Sequence, residues 1–373
     1  MSSLPPLKKP LDERPESSFT LSSEYYLSED IYEREKRQIF YQSWQYVAHQ
    51  SMLPDPGDYL TLTICDENLF VIRSSDNQLS AFYNVCRHRA HELLQGGGNL
   101  RELIVCPYHA WSYSNSGDLL RAPLSEHRSE FDKNAFCLRG IRLETFCGFV
   151  FINMDDQCES LQAIAGDLEQ DIREHIPYLD ELQYVGADML GETRIEAGWK
   201  VVVDNYVECY HCRPAHKDFA SIIDMNTYQT DVFAHWSRQL GGDIRYENTA
   251  YEVDPGIGIQ HSCFWYLWPN TTFNVMPGSN ELGVFVVRPL GVNRCNFGGH
   301  SFSVDGKIYQ PKAEYAANVL APEDIDLCES VQRGLRSLSY DQGAYMVNPA
   351  SPGESEHALH HFHRLVHSAL QPG

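Results

Sequence analysis

Between Trp44 and Asn153 the apolar residues come in short runs with frequent breaks, the rhythm of strands rather than helices. Tyr59-Leu60-Thr61-Leu62-Thr63, Leu69-Phe70-Val71-Ile72 and Phe149-Val150-Phe151-Ile152 are rich in residues that suit a pleated surface. Pro56-Gly57 and Ser116-Gly117-Asp118 mark turns between such runs. This stretch reads as an all-β domain. Upstream, residues 1–20 are polar and Pro-rich and read as a poorly ordered tail. Ser28 is placed to cap a helix running to about Tyr41, with Glu29 and Asp30 in the first turn, where the helix dipole favours acids. Residues 155–185 read as a polar helical connector, and the remainder mixes helix and strand. The pattern predicts an arm and helix over 1–43, a β domain over 44–154 and an α+β domain over 155–373. No internal repeat or low-complexity segment interrupts it.

Composition changes this picture little. A chain of 373 residues with 43% hydrophobic content can bury two medium cores. No apolar run is long enough to span a bilayer, and the polar start carries no secretory h-region, so a cytoplasmic protein is expected. Eleven Cys without a paired framework fit a reducing compartment. The net charge of −22 argues against non-specific nucleic-acid binding and is compatible with a cationic small substrate.

The β domain carries the first chemistry. Cys86-x-His88 and Cys106-x-x-His109 are two Cys-His pairs in a Gly-rich setting. Two thiolates and two imidazoles in this arrangement suit a Rieske [2Fe–2S] cluster, in which the Cys hold one iron and the His the other. A structural Cys2His2 zinc site uses the same donors, but zinc spacings usually pair Cys with Cys and His with His. The second constellation is Glu208-x-x-His211-x4-His216. Non-haem Fe(II) oxygenases bind iron through two His and one carboxylate and keep positions open for O2 and substrate. Five residues correspond to about 140° on a regular helix, so a straight helix would not bring His211 and His216 together. Pro214 is expected to break the helix and let His216 swing back. The competing reading makes both His ordinary polar residues of a helix–turn. Cys209 and Cys212 form a lone C-x-x-C and read as buried small residues.

Asn84-Val85-Cys86-Arg87-His88-Arg89, Cys106-Pro107-Tyr108-His109-Ala110-Trp111 and the run from Trp199-Lys200 through Asp204-Asn205 to His216 resemble the Rieske non-haem iron oxygenases over most of residues 30–370. The resemblance implies a Rieske domain followed by a helix-grip catalytic domain, an antiparallel sheet around a long helix. It implies cluster ligands Cys86, His88, Cys106 and His109, and Fe(II) ligands His211, His216 and Asp324. Asp324 is selected because the family's Asp precedes a Glu-x-x-Gln, here Glu329 to Gln332, by five residues; Asp326 is the runner-up. Asp204 matches the family's lead-in and is grouped with Glu208 as catalytic. Where the family commonly has Gly after the His-Arg pair this chain has Ala90, which is strained if that position needs φ > 0.

No G-x-G-x-x-G and no ferredoxin Cys spacing is present, so a separate flavin and Fe–S reductase fed by NADH or NADPH is expected. The resemblance further implies a homotrimer in which Glu208 links His109 of one subunit to His211 of the next. Glu208 in place of the Asp usual in ring hydroxylases, and the Glu329-Ser330-Val331-Gln332-Arg333-Gly334-Leu335 text, resemble members acting on quaternary ammonium compounds of the carnitine, betaine and choline type. An arene-hydroxylating subunit is the rival within the enzymes. An electron carrier or a zinc-stabilised binding module is the rival outside them. Trp265, Tyr266 and Phe273 are candidates for a pocket around a trimethylammonium head, which cation–π contact favours. The His run His357, His360, His361, His363 and His367 reads as a surface helix.

Overall fold

The computed structural model describes residues 4–100, 103–187 and 192–371. The chain divides into two compact units, residues 40–161, and residues 1–39 together with 162–373.

In the first unit, a seven-stranded antiparallel sheet runs in the order Gln45–His49, Phe149–Asn153, Gly140–Phe146, Leu79–Tyr83, Glu67–Arg73, Asp58–Ile64 and Gly97–Asn99. Every residue of Phe149–Asn153 is buried, which accounts for a continuous apolar run in place of alternation. A small three-stranded sheet, Ile104–Val105, Ser112–Tyr113 and Leu119–Arg121, carries the second Cys-His loop. Cys86 and Cys106 sit in one buried apolar cluster with Phe82, Ile104, Trp111 and Tyr113. Both thiols are therefore shielded from water by packing that the strands supply.

The second unit has the α+β helix-grip architecture. Its antiparallel sheet runs Gln183–Ala187, Arg294–Ser303, Glu281–Gly291, Thr271–Val275, Ser262–Leu267, Trp236–Gly241 and Gln229–Val232, with Thr193–Ile195 also pairing to Arg294–Ser303. The long helix Ala321–Gly334 packs against the helix Trp199–Tyr206 and the strand Thr193–Ile195. Gln332 fixes that packing, since its Oε1 accepts the Gly198 N–H at 2.7 Å. A Cβ on Gly198 would meet the Val292 carbonyl oxygen at 2.6 Å, so the close approach requires glycine.

The N-terminal arm departs from the expected loose tail. The Ser18 hydroxyl is buried between the Asp12 carbonyl at 3.0 Å and His360 Nε2 at 3.1 Å, and the Thr20 N–H donates to the Gly343 carbonyl. Isolated long-range hydrogen bonds hold this segment, and they leave no hydrophobic period in the sequence. The helix capped by Ser28 spans Glu29–Glu35 and continues as a π-helical turn, Lys36–Phe40. The C-terminal helix His357–Ala369 is likewise no simple surface helix, because His360 and His363 are buried in it.

Glu35, buried on the N-terminal helix, accepts from Trp199 Nε1 at 2.8 Å and forms an ion pair with the buried Lys200. Lys200→Met leaves that carboxylate desolvated and unpaired. It should cost about 3–5 kcal/mol, read as a lower urea midpoint, and Glu35→Leu added to it should recover part of the loss.

Candidate metal centres

The two Cys-His loops are built alike. The Cys86 N–H donates to the His91 carbonyl at 2.8 Å, and the Ala90 N–H returns to the Cys86 carbonyl at 3.0 Å. The same pair of bonds, at the same lengths, joins Cys106 to Trp111 and Ala110 to Cys106. Each loop thus closes a turn that buries its Cys and leaves its His, two residues on in one loop and three in the other, exposed at the tip. The His88 and His109 rings lie 4.7 Å apart, and His88 stacks on Trp111 at 4.8 Å with an interplanar angle of 6°. Two buried sulfurs beneath two paired imidazoles are the donor set a Rieske cluster takes. Tyr113, which the sequence reading passed over, places its hydroxyl 3.3 Å from Cys86 Sγ and accepts the Arg87 N–H at 3.0 Å. A hydrogen bond to a cluster sulfur is one of the levers that set its potential.

Ala90 has φ +56° and Ala110, its counterpart in the second loop, φ +55°. Left-handed backbone costs a non-glycine residue about 1–2 kcal/mol, whereas glycine loses about 0.4–1 kcal/mol more chain entropy on folding. Ala90→Gly should therefore stabilise the domain by a net of about 0.5–1 kcal/mol. Thermal unfolding followed by the visible absorbance of the cluster would show it; an unchanged or lower midpoint contradicts the strain.

The second centre lies where the helix Trp199–Tyr206 gives way to the one-turn helix Cys212–Ala215. His211 precedes that turn and His216 follows it. Pro214 does not act as the expected breaker, since the longer helix has already ended at Tyr206. It sits in the first turn of the short helix, where an N–H would have no intrahelical acceptor. The His211 and His216 rings are 5.0 Å apart at 80°. Ligand atoms of His211, His216 and Asp324 all lie within 4.8 Å of one another, a spacing a single metal ion can bridge. Asp326 is exposed and stands outside this group, because two residues turn the helix Ala321–Gly334 through about 200°.

Each imidazole is held from behind by a carboxylate. His211 Nδ1 lies 2.6 Å from Glu208 Oε1, and His216 Nδ1 lies 2.8 Å from Glu323 Oε2. Both Nε2 atoms then face Asp324 Oδ1, at 3.6 and 2.9 Å. A carboxylate on the outer nitrogen fixes tautomer and ring direction in a metal-binding histidine. Glu323 is the partner the sequence reading missed; its only signal was a place beside Asp324. Burial lowers the His211 pKa, but hydrogen bonds to Asp324 and Glu208 outweigh it and push the value up to about 10. Burial likewise raises Asp324, and the hydrogen bonds from His211 and His216 overcome it to bring the value down to about 2.

The metal-free site therefore holds a proton on His211 that an arriving ion must displace. The imidazolium stabilises the metal-free protein fully below the ordinary histidine value, and that contribution is lost as pH rises toward 10. Apparent Fe(II) affinity of the apoprotein should rise about tenfold per pH unit between about pH 7 and 9 for the displaced proton. Anaerobic titration checks this, and a flat profile contradicts it.

The remaining predicted residues sort differently. Asp204 does not reach the metal group. It accepts from Tyr26 at 2.7 Å and lies 3.0 Å from His363 Nε2, tying the arm and the C-terminal helix to the helix that leads into the site. Cys209 and Cys212, read as separate buried residues, are joined as a disulfide, the turn bringing their Cα atoms to 4.9 Å.

A cavity of about 220 Å³ opens on the metal group. Trp265, Tyr266 and Phe273 are not in its wall. Phe264 and Asn274 line it instead, together with Phe219, Tyr228, Phe285 and Phe297. Trp265 and Phe273 are paired across neighbouring strands and lie on the opposite face, where Trp265 Nε1 donates to Asp171 at 2.7 Å. Tyr266 shares the face of Phe264 but is spent on Phe362 and the Pro269 carbonyl. Strand alternation makes the difference between neighbours, and composition alone does not say which phase faces inward.

Comparison with known proteins agrees with the two domains and their cofactor types. Residues 43–140 match the family described as Rieske [2Fe-2S] domain, and residues 173–371 the one described as ring hydroxylating alpha subunit (catalytic domain). The chain is 36% identical over 370 residues to a carnitine monooxygenase oxygenase subunit of Acinetobacter pittii, covering 98% of this chain and 99% of that protein. To the subunit of the same description from Escherichia coli K12 it is 35% identical, with 94% of each chain covered. A solved quaternary ammonium Rieske monooxygenase superposes with a TM-score of 0.90 at 35% identity, over 98% of this chain and 100% of the other.

Proposed function

Because this chain belongs to the ring-hydroxylating alpha subunits that carry a Rieske domain, an oxygenase family using a [2Fe–2S] cluster and mononuclear iron, we propose that it hydroxylates a carbon next to nitrogen in a quaternary ammonium compound. When bound, the cluster supplies electrons one at a time and the iron activates O2. The observation that carries the substrate reading is the ring-lined cavity against the metal group, with Phe219 6.0 Å from Phe264 and 6.4 Å from Tyr228. Contiguous aromatic faces attract an alkylammonium head while excluding water. The full-length likeness to proteins named for such substrates supports it.

In the proposed reaction one oxygen atom enters the C–H bond, and the other leaves as water with two protons and two external electrons. The resulting carbinolamine loses its hydroxyl proton, the C–N bonding pair departs with nitrogen, and an amine and a carbonyl compound result. Glu208 and Glu323 hold the two imidazoles, and the apolar wall keeps bulk water from the substrate. A separate electron-transfer partner is part of the family's design. We take it to be a flavin and Fe–S reductase using NADH or NADPH, and the assembly to be a cytoplasmic homotrimer. In that trimer Glu208 accepts ring N–H groups from His211 and from the partner subunit's His109, whose counterpart here stands exposed at a loop tip.

Turnover of trimethylammonium compounds and simple arenes with a generic reductase, followed by mass spectrometry, tests the reading. An amine with a matching carbonyl product is expected. A hydroxylated ring with untouched ammonium compounds would transfer the chain to the arene hydroxylases.

A further inference from the structure

The cavity wall contains no lysine or arginine. Its acidic and imidazole members are the metal group itself and Glu208. Residues of this unit outside the described set, 1–3, 188–191 and 372–373, contain neither cation. Of the cations near the wall residues, Arg213 is paired with Glu354, Arg238 with Asp171 and Asp231, and Lys312 with Glu281, while Lys217, next to His216 in sequence, is exposed. The polar wall residues away from the metal are also satisfied among themselves. Tyr206 donates to Asn274 Oδ1 at 2.8 Å, and Asn274 Nδ2 donates to Thr272 Oγ1 at 3.0 Å. Tyr228 donates to Gln239 Oε1 at 3.3 Å, and Gln239 Nε2 donates to the Tyr206 carbonyl at 2.6 Å. Only Asn205, 3.5 Å from His211 at the metal end, has an amide not directed at a carbonyl or hydroxyl.

Away from the metal end, where the second arm of a substrate reacting through its ammonium carbon would lie, an anionic group would exchange water for Phe, Met and Leu surface with no cation and no free donor in the wall to receive it. An ammonium head would meet rings and the Glu208 carboxylate. Resting on the quaternary-ammonium reading above, we propose that this cavity selects quaternary ammonium compounds whose second arm is uncharged, such as an alcohol, ester or amide, and discriminates against those ending in a carboxylate. The relatives named for carnitine do not already imply this, since carnitine ends in a carboxylate.

The test compares ligands that share an ammonium head and differ in the charge of the second arm. L-carnitine and its methyl ester, and glycine betaine and choline, are titrated calorimetrically into the anaerobic metal-loaded enzyme. The ester is expected to bind about tenfold or more tightly than the acid, and choline likewise against betaine. Met276, whose side chain lines the cavity, supplies a second arm: Met276→Lys should reverse the order. Equal or tighter binding of the carboxylates to the unaltered enzyme overturns the charge selection and leaves the ammonium reading in place. Tighter binding of the tert-butyl isostere of choline, carbon replacing nitrogen, overturns both.

Discussion

Asp324→Ala is expected to abolish turnover, by about 10³-fold or more, while leaving the Rieske cluster intact. Among the described residues the carboxylate is the one group that both Nε2 atoms face, so its loss removes a proposed ligand and leaves two imidazoles with nothing between them. The ratio of iron to acid-labile sulfide should fall from about 3:2 to about 2:2, and the cluster's visible spectrum should persist. Loss of the Asp324 hydrogen bond should also bring His211 down from its raised pKa, because that contact is the largest of the groups raising it. Asp326 is the internal control: exposed on the same helix, its replacement by Ala should change neither iron content nor rate. A loaded, active Asp324→Ala enzyme would mean that another acid, such as Glu208 or Glu323, supplies the third ligand.

Glu208→Ala is expected to separate metal binding from catalysis. Both centres should fill under saturating iron, since Glu208 holds His211 from its outer nitrogen and donates nothing to the metal group. Turnover should nevertheless drop about 10²-fold or more, because the ring loses its orienting partner and the proposed link to the partner subunit's His109 goes with it. Apparent iron affinity should weaken about 10–100-fold, the usual consequence of removing such a carboxylate. Glu208→Gln keeps an acceptor oxygen and should retain more activity than Ala. Reduction of the cluster by dithionite should be unaffected in both variants, which places the defect after electron entry. Wild-type turnover in Glu208→Ala would remove the carboxylate from any role beyond local packing, such as its acceptance of the His211 backbone N–H at 3.3 Å.

The two centres were legible in the chain because metal chemistry is a matter of donor type at short range. Cys86, His88, Cys106 and His109 occupy two loops of a few residues each, and His211 with His216 flank a single turn. The strands of the Rieske unit were legible for the same reason. Their burial follows from β-branched and aromatic runs whose neighbours along the chain already carry the information.

What lay beyond reach depended on partners far apart in sequence or on the phase of a repeating element. Asp324 is reached over Asp326 only through the resemblance; from the residues alone the two acids are equivalent, and the rotation of a packed helix is what sends the first toward His216 and the second to solvent. Phe264 and Trp265 are adjacent aromatics in one strand; which of them faces the cavity is set by the sheet's contact with the helix Leu168–His175, nearly a hundred residues upstream. Asp204 is grouped with Glu208 as catalytic by its place in the resembling run, whereas its side chain is hydrogen-bonded to Tyr26 and His363 from the two ends of the chain. Local composition settles which reactions the donor atoms permit. Packing alone settles which side chains stand within a bond length of them, because hydrophobic burial is indifferent to direction until the opposing surface is in place.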